Sequence, residues 1–524
     1  MKFMFKKVTI DEMYKKLNTI NHKKATGFDR LPPKLIKLGA KVLCGTMVSL
    51  MNMSIEQATF PNALKCAEVI PIFKKGDMLD KKNYRPVSIL PCISKIFEGI
   101  LIDQLKVYFE GVLSPHLSGF RKGYNCQSVL LNFVEKCKVN LDNNQVYGAL
   151  LTDLSKAFDC LPHCLLLSKL NAYGVDVTAC KLIASYFKER KQRVSICNNK
   201  SSWLELSKGA PQGSLFGPFA FNLFINDLLH LISNMEIADL FNYADDNSVA
   251  CHDVNYEGVC KKLEKVSNIM LKWFTDNYMQ ANPSKFQLIL FGSEHLDSSV
   301  VVDDIVIKAE RCVKLLGVNI DCTLGFNEHI NETCKKAGRK LNVLGRLCKT
   351  LNVQDKLKLY QAFILSQFNY CPLVWHFCSV SNMKKIEKIQ ARALRYVYND
   401  FHSSYFDLRA RSSRPLMYVQ RLRGLMIEVF KIINKEGPTY LHDMLTVKES
   451  HYNVRNFKTL QQPKYKTIKY GFNSFRYHGA MLWNLLDNEF KKSVTVKDFK
   501  NMISKWQGPK CNCNNCNMCM LSNI

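Results

Sequence analysis

The chain has 524 residues, 47% of them hydrophobic and 23% charged, which is ordinary for folded protein and too long for one compact core. Its charge is less ordinary: 73 Lys and Arg against 45 Asp and Glu leave +28 at pH 7, an excess that points to a polyanionic partner, most simply nucleic acid. No apolar run approaches the length of a membrane span, and MKFMFKKVTIDEMYKK turns polar too early for a signal peptide. The 21 Cys are then read as reduced thiols of an intracellular protein, nuclear or cytoplasmic and not secreted.

In chain order, residues 1–60 read as helical around a loop at HKKATGFDRLPPK, where Gly27 and paired prolines break any helix. Short apolar runs and turns fill 61–100. NQVYGALLTDL (144–154) is a buried strand that ends on Asp153, and HCLLLSKLNAYG follows as a helix. The segment 185–207 reads as two strands around CNNKSS, and FAFNLFINDLLHLI as a strongly apolar helix. LFNYADDNSVAC has strand formers on both sides of Asp-Asp-Asn and predicts a hairpin with those residues at its turn. A helix over 255–280 and the strand FQLILFG complete an α+β pattern over about 145–292.

Helical periodicity dominates after residue 325. In SNMKKIEKIQARALRYVYND, Met383, Ile386, Ile389, Ala393, Leu394 and Val397 share one face, and Lys384, Lys385, Lys388, Arg392 and Arg395 cover much of the rest. That basic face is either solvated or a nucleic-acid contact. Residues 321–400 hold 13 basic and 6 acidic side chains, and 401–524 hold 20 and 8, so most of the excess charge lies in these 204 residues.

Asp245 and Asp246 stand side by side in an apolar run. Adjacent carboxylates repel and lose hydration when buried, so they belong to an exposed turn or to a cation. If the end of the 144–154 strand lies beside the hairpin, Asp153 joins them, and three hard-oxygen ligands suit Mg²⁺. Two such ions roughly 3.5–4 Å apart would stabilise the attacking and leaving oxygens of a phosphoryl displacement.

LLTDLSKAFD, GAPQGSLFGPFAFNLFINDL, NYADD, ANPSKFQLILFG and VKLLGVNID resemble, in order, the palm motifs of reverse transcriptases. NYRPVSILPCISKIFE and LSGFRKGYNCQSVL resemble the fingers motifs of the non-LTR (LINE-like) retrotransposon branch. The resemblance runs from about residue 20 to the end, IQARALR and the closing cysteines included. It implies an α+β right-hand polymerase: an N-terminal helical extension (1–60), fingers (61–145), palm (146–320), a helical thumb (321–400) and a basic C-terminal region (401–524). The implied activity is RNA-directed DNA polymerisation from two Mg²⁺ ions. Its implied partners are an RNA template, a DNA primer or nicked target DNA, and dNTPs, with no membrane.

By the same resemblance Asp153, Asp245 and Asp246 are the catalytic, metal-binding carboxylates, and Asp159 is not a ligand. Phe158 matches the residue under the incoming sugar, where its ring would exclude a 2′-hydroxyl. Gln212 and Gly213 would line the nucleotide pocket, Gly213 allowing close backbone approach. Lys74 and Arg85 would meet the triphosphate, and Lys285 would stand near the pyrophosphate leaving group as its general acid. Phe216 and Phe286 depart from the usual aliphatic residue and threonine. Cys511, Cys513, Cys516 and Cys519 could bind Zn²⁺ or remain free thiols. Elements of this kind carry an endonuclease ahead of the polymerase, and the polymerase motifs begin here almost at once. The expectation is therefore a truncated or domesticated piece, with a catalytically inactive nucleic-acid-binding remnant as the alternative.

Overall fold

The computed structural model describes residues 2–154, 157–197, 199–292, 297–347, 349–448 and 458–509. The four terminal cysteines lie outside these residues. In chain order the strands are β1 (Cys66–Phe73), β2 (Tyr84–Ile89), β3 (Val146–Thr152), β4 (Lys191–Ile196), β5 (Asn199–Lys200), β6 (Leu204–Glu205) and β7 (Asp239–Tyr243). They continue as β8 (Asp246–Asp253), β9 (Gln287–Phe291), β10 (Ser299–Val302), β11 (Ile305–Lys308), β12 (Cys312–Leu315) and β13 (Val318–Asp321). Strands interleaved with helices make the chain α+β. The backbone separates into two compact units, and each is built from several stretches of sequence.

The first unit comprises Met1–Phe120, Asp153–Met235 and Asn268–Asn282. Its sheet runs β2-β1-β4-β5, with β6 also on β4. β1 and β2 are antiparallel, whereas β1 and β4 are parallel. The expected strand pair at 185–207 is thus divided: residues to Phe187 finish a helix, and β4, β5 and β6 share the remainder around short turns. The apolar helix forms over Phe216–Ser233, where Phe219, Phe221, Phe224 and Leu228 are all buried. A helix apolar all round belongs inside a unit, not on its face. Beside it, the helix Cys92–Phe109 carries the fully buried Glu98, which accepts from Tyr186 Oη (3.0 Å) and from the Leu215 amide (2.6 Å). Desolvation raises the Glu98 pKa despite these donors and the nearby Arg190.

The second unit comprises Arg121–Thr152, Glu236–Ser267 and Pro283–Ile524. Its main sheet is antiparallel, in the order β7-β8-β3-β9. β3 is central and buried along most of its length, which explains its near-continuous apolar sequence. Gly148 lies mid-strand because a Cβ there would come within 2.5 Å of Val259 Cγ1 and 2.7 Å of Leu290 Cδ2. β10–β11 and β12–β13 form two separate two-stranded ladders.

Below the sheet one hydrophobic core is continuous from the helix Cys126–Asp142 through Ile503. Three charged residues at helical spacing on that helix bind distant backbone. Glu135 accepts from the Phe475 and Arg476 amides (2.9 and 3.1 Å), Lys138 donates to the Asn473 carbonyl (2.7 Å), and Asp142 accepts from the Thr467 amide (2.7 Å). The helix predicted around 383–397 spans Val380–Tyr398, with Met383, Ile386, Ala393, Leu394 and Val397 buried. Among the described residues no helix is long and apolar enough to cross a membrane, and no two cysteines form a disulfide.

Candidate active site

The β7–β8 hairpin is closed by the pair Tyr243–Asp246, leaving only Ala244 and Asp245 in the turn. The expected turn is therefore displaced by one residue, and Asp246 and Asn247 already belong to β8. The reason is a pair of buried side chains. Asn242 and Asn247 are cross-strand partners, 0% and 1% exposed. Asn242 Nδ2 donates to Asn247 Oδ1 (2.8 Å) and to the Ala244 carbonyl (2.9 Å), and Asn247 Nδ2 donates to the Asp245 carbonyl (3.3 Å). These bonds hold Ala244 at φ +58°, a region a residue with a Cβ enters at a cost of about 1 kcal/mol or more. Asp245 is half-buried and Asp246 exposed.

The same edge of the sheet collects two further strand ends. Thr152, the last residue of β3, pairs with Asn247, and its Oγ1 donates to the Asn247 carbonyl (3.0 Å). Asp153 is the next residue in the chain and is half-buried. On the other side of β3, Leu151 pairs with Gln287, the first residue of β9. The turn that leads into β9 is Pro283–Lys285, so exposed Lys285 stands just ahead of that end. The antiparallel register thus brings the β3 exit, the Asp245–Asp246 hairpin and the β9 entry to one edge.

The remaining expected residues lie in the first unit, which begins its second stretch at Asp153 itself. Gln212 Nε2 donates to Asp159 Oδ1 (2.9 Å), and the Gln212 carbonyl accepts from the Ser88 amide (2.7 Å). Asp159 thus holds Gln212. Gly213 has φ +133°, and a Cβ on it would lie 2.4 Å from the Ser88 carbonyl oxygen. The close backbone approach that requires glycine here is to β2. The Phe158 ring is half-buried, 4.7 Å from Phe221 and 5.9 Å from Phe120 between centroids. Lys74 and Arg85 are exposed on the β1–β2 hairpin, where Arg85 pairs with Ile72 and the Lys74 amide donates to the Asn83 carbonyl (2.8 Å).

Two positioning features escape sequence reasoning. The Asn242–Asn247 pair has a signal, an Asn on each strand equidistant from the turn. Glu98 has none, since its partners are 88 or more residues away. For the metal, carboxylate oxygens are the donors that hard divalent cations prefer. Among the described residues no three His, Cys, Asp or Glu side chains are grouped as metal ligands. Such donors fit an ion that completes its shell with substrate oxygens and water, as Mg²⁺ commonly does.

Residues 72–320 match the family of reverse transcriptases (RNA-dependent DNA polymerases). Its relatives include the RNA-directed DNA polymerase from mobile element jockey of Drosophila funebris, 25% identical over 74% of this chain and 44% of that protein. Another is the probable RNA-directed DNA polymerase from transposon X-element of Drosophila melanogaster, 24% identical over 83% of this chain and 47% of that one. The chain spans about half the length of these relatives. The expected kinship with non-LTR reverse transcriptases is borne out. Among solved structures, apo telomerase from Candida tropicalis has 10% identity over 69% of this chain and 63% of that one, with a TM-score of 0.38.

Proposed function

We propose that the chain is an RNA-directed DNA polymerase of the non-LTR retrotransposon kind, adding dNTPs to a primer 3′-hydroxyl on an RNA template. The observation that carries this reading is the sheet edge, where a stapled hairpin presents Asp245 and Asp246 next to the exit of the strand that Asp153 follows. Reverse transcriptases generally use Mg²⁺. In this reading Asp153, Asp245 and Asp246 hold two Mg²⁺ ions, which when bound favour deprotonation of the attacking hydroxyl and neutralise charge on the phosphates.

The other residues act through their own chemistry. Lys74 and Arg85 neutralise the triphosphate of the incoming nucleotide. Phe158 lies under the sugar and excludes a 2′-hydroxyl, so deoxynucleotides are preferred. Gln212 and Gly213 form the pocket wall, with Asp159 orienting Gln212. Lys285 hands a proton to the departing pyrophosphate. The chain is then a right-hand polymerase with fingers at 61–145, palm at 146–320, thumb at 321–400, an N-terminal extension and a basic C-terminal region. It works inside the cell on RNA template and DNA primer.

The test is extension of a DNA primer on an RNA template with Mg²⁺ and dNTPs, by the parent and by Asp245→Asn with Asp246→Asn. The double variant is expected to lose roughly a thousandfold or more in rate while still binding primer–template. A parent that binds but never extends, at any Mg²⁺ concentration, leaves a nucleic-acid-binding remnant in place of the enzyme.

A further inference from the structure

Outside residues 72–320, two adjoining clefts open in the second unit between the helices Tyr405–Ser412, Met417–Ile433 and Val496–Ile503. Their volumes are about 630 and 310 Å³, and Arg414 lines both. Arg421, Arg423 and Lys500 line the larger cleft, and Arg409 the smaller. Among the described residues no carboxylate lines either cleft. Five cations in walls without an acidic side chain focus a positive potential in the clefts.

The interior of the wall has the same character. Arg421 is 4% exposed, and its Nε, Nη1 and Nη2 have no hydrogen-bond partner among the described residues. Its guanidinium lies 5.1 Å from the Trp375 ring centroid and 5.8 Å from that of Tyr418. Ring faces offset only part of the cost of burying a charge, so an anion in the adjacent cleft would stabilise the native state. At the outer end of the smaller cleft Phe406 is 65% exposed, with the Arg409 guanidinium 5.8 Å from its ring centroid. An exposed ring beside a basic groove is the arrangement on which unpaired bases stack while their phosphates follow the cations.

We propose that these clefts form a binding site for a single strand of nucleic acid, with its phosphates along Arg409, Arg414 and Lys500 and one base stacked on Phe406. RNA and single-stranded DNA offer the same phosphate chemistry, so the test carries both. The site needs neither primer nor dNTP. Intact strand binding without any extension would therefore sink the polymerase reading alone.

The experiment is fluorescence anisotropy of the full chain with end-labelled, unstructured RNA and DNA of one sequence across a salt series. The parent is compared with Arg414→Gln/Lys500→Gln and with Phe406→Ala. The double variant is expected to weaken binding roughly tenfold or more and to flatten the salt slope by about 1.4, as for two lost single-strand phosphate contacts. Phe406→Ala is expected to weaken binding roughly fivefold to a hundredfold with the slope unchanged. Loss with one strand type only names the strand the clefts carry. Parent affinity and slope in both variants overturn the proposal. Photo-crosslinking of the parent to thiobase-substituted strands gives a second reading without substitution: adducts on the peptide that holds Phe406 support the site, and adducts confined to other peptides overturn it.

Discussion

The β1–β2 and β7–β8 hairpins are both antiparallel, and both carry residues proposed for the nucleotide reaction, yet they are built in opposite ways. β7–β8 closes in two residues, with a buried Asn pair clamping the turn and a strained Ala244 inside it. β1–β2 joins Phe73 to Tyr84 through residues 74–83, exposed up to Lys82 and held by Asn83 Nδ2 on the Asp77 carbonyl and Tyr84 Oη on the Met78 carbonyl. Under the proposed function the contrast fits the task assigned to each. Carboxylates that share cations need positions fixed to within a fraction of an ångström, whereas cations that meet a triphosphate act over a longer range and gain from reach.

The comparison breaks first at Asn247. Asn247→Ala removes one of the two acceptors of Asn242 Nδ2 and the donor to the Asp245 carbonyl, and leaves one N–H of the buried Asn242 amide without a partner. The expected loss is about 1–3 kcal/mol of stability and roughly a hundredfold in extension rate, with primer–template affinity unchanged. Thermal melting and single-turnover extension measure the two. A full rate in a destabilised variant would mean that the clamp serves folding only.

Acid is expected to loosen the unit that holds β7–β8, with a smaller effect. The unit that contains β7–β8 also contains His329, which is 7% exposed and held down to about 4 by burial, with Lys336 and Lys314 adding to the effect and Glu332 opposing it. Its Nδ1 accepts from the Asn319 amide (3.4 Å), a bond that needs the unprotonated nitrogen. Unfolded, this histidine titrates near 6.5, so the unfolded chain binds the extra proton between 6.5 and 4. The contribution is complete above about pH 6.5 and is lost as pH falls towards 4, to a total of roughly 3 kcal/mol. Melting temperatures of the parent should drop through that window, and His329→Gln should flatten the drop. An equal slope in the variant would assign the acid sensitivity elsewhere, with His376 and His478, also lowered by burial, as the next candidates.

Much of the sheet that carries the candidate site was legible because its residues are local. The β3 strand, the hairpin and the helix Phe216–Ser233 each announce themselves by period and by turn formers, and the order of the motifs supplied their kinship. The features that stayed hidden are non-local. Nothing near Glu135 says that its carboxylate caps a helix beginning at Phe475, or that Asp142 holds the Thr467 amide. The split of 185–207 into three strands was hidden for the same reason, since β4 is fixed by its parallel partner β1. The turn was misplaced by one residue because Asp-Asn suits turns in general, and only the buried Asn242–Asn247 pairing decides which two residues occupy it. Gly213 was expected to allow a close backbone approach, and the backbone it meets, the Ser88 carbonyl on β2, lies far back in the chain where no local pattern names it.

The smallest expected effect belongs to the open hairpin. Lys74→Ala removes one exposed cation from a loop whose hydrogen bonds involve other side chains, so folding stability should not change measurably. If the lysine meets a triphosphate, the KM for dNTP should rise roughly threefold to tenfold at low salt, with kcat nearly constant, because its attraction is similar in the ground and transition states. Arg85→Ala should act in the same direction and more strongly, since a guanidinium can hold phosphate oxygens bidentately. A fall in kcat at constant KM would place these cations on the developing charge of the transition state. The open hairpin would then need the same positional precision as the clamped one, and the contrast between them would no longer explain their construction.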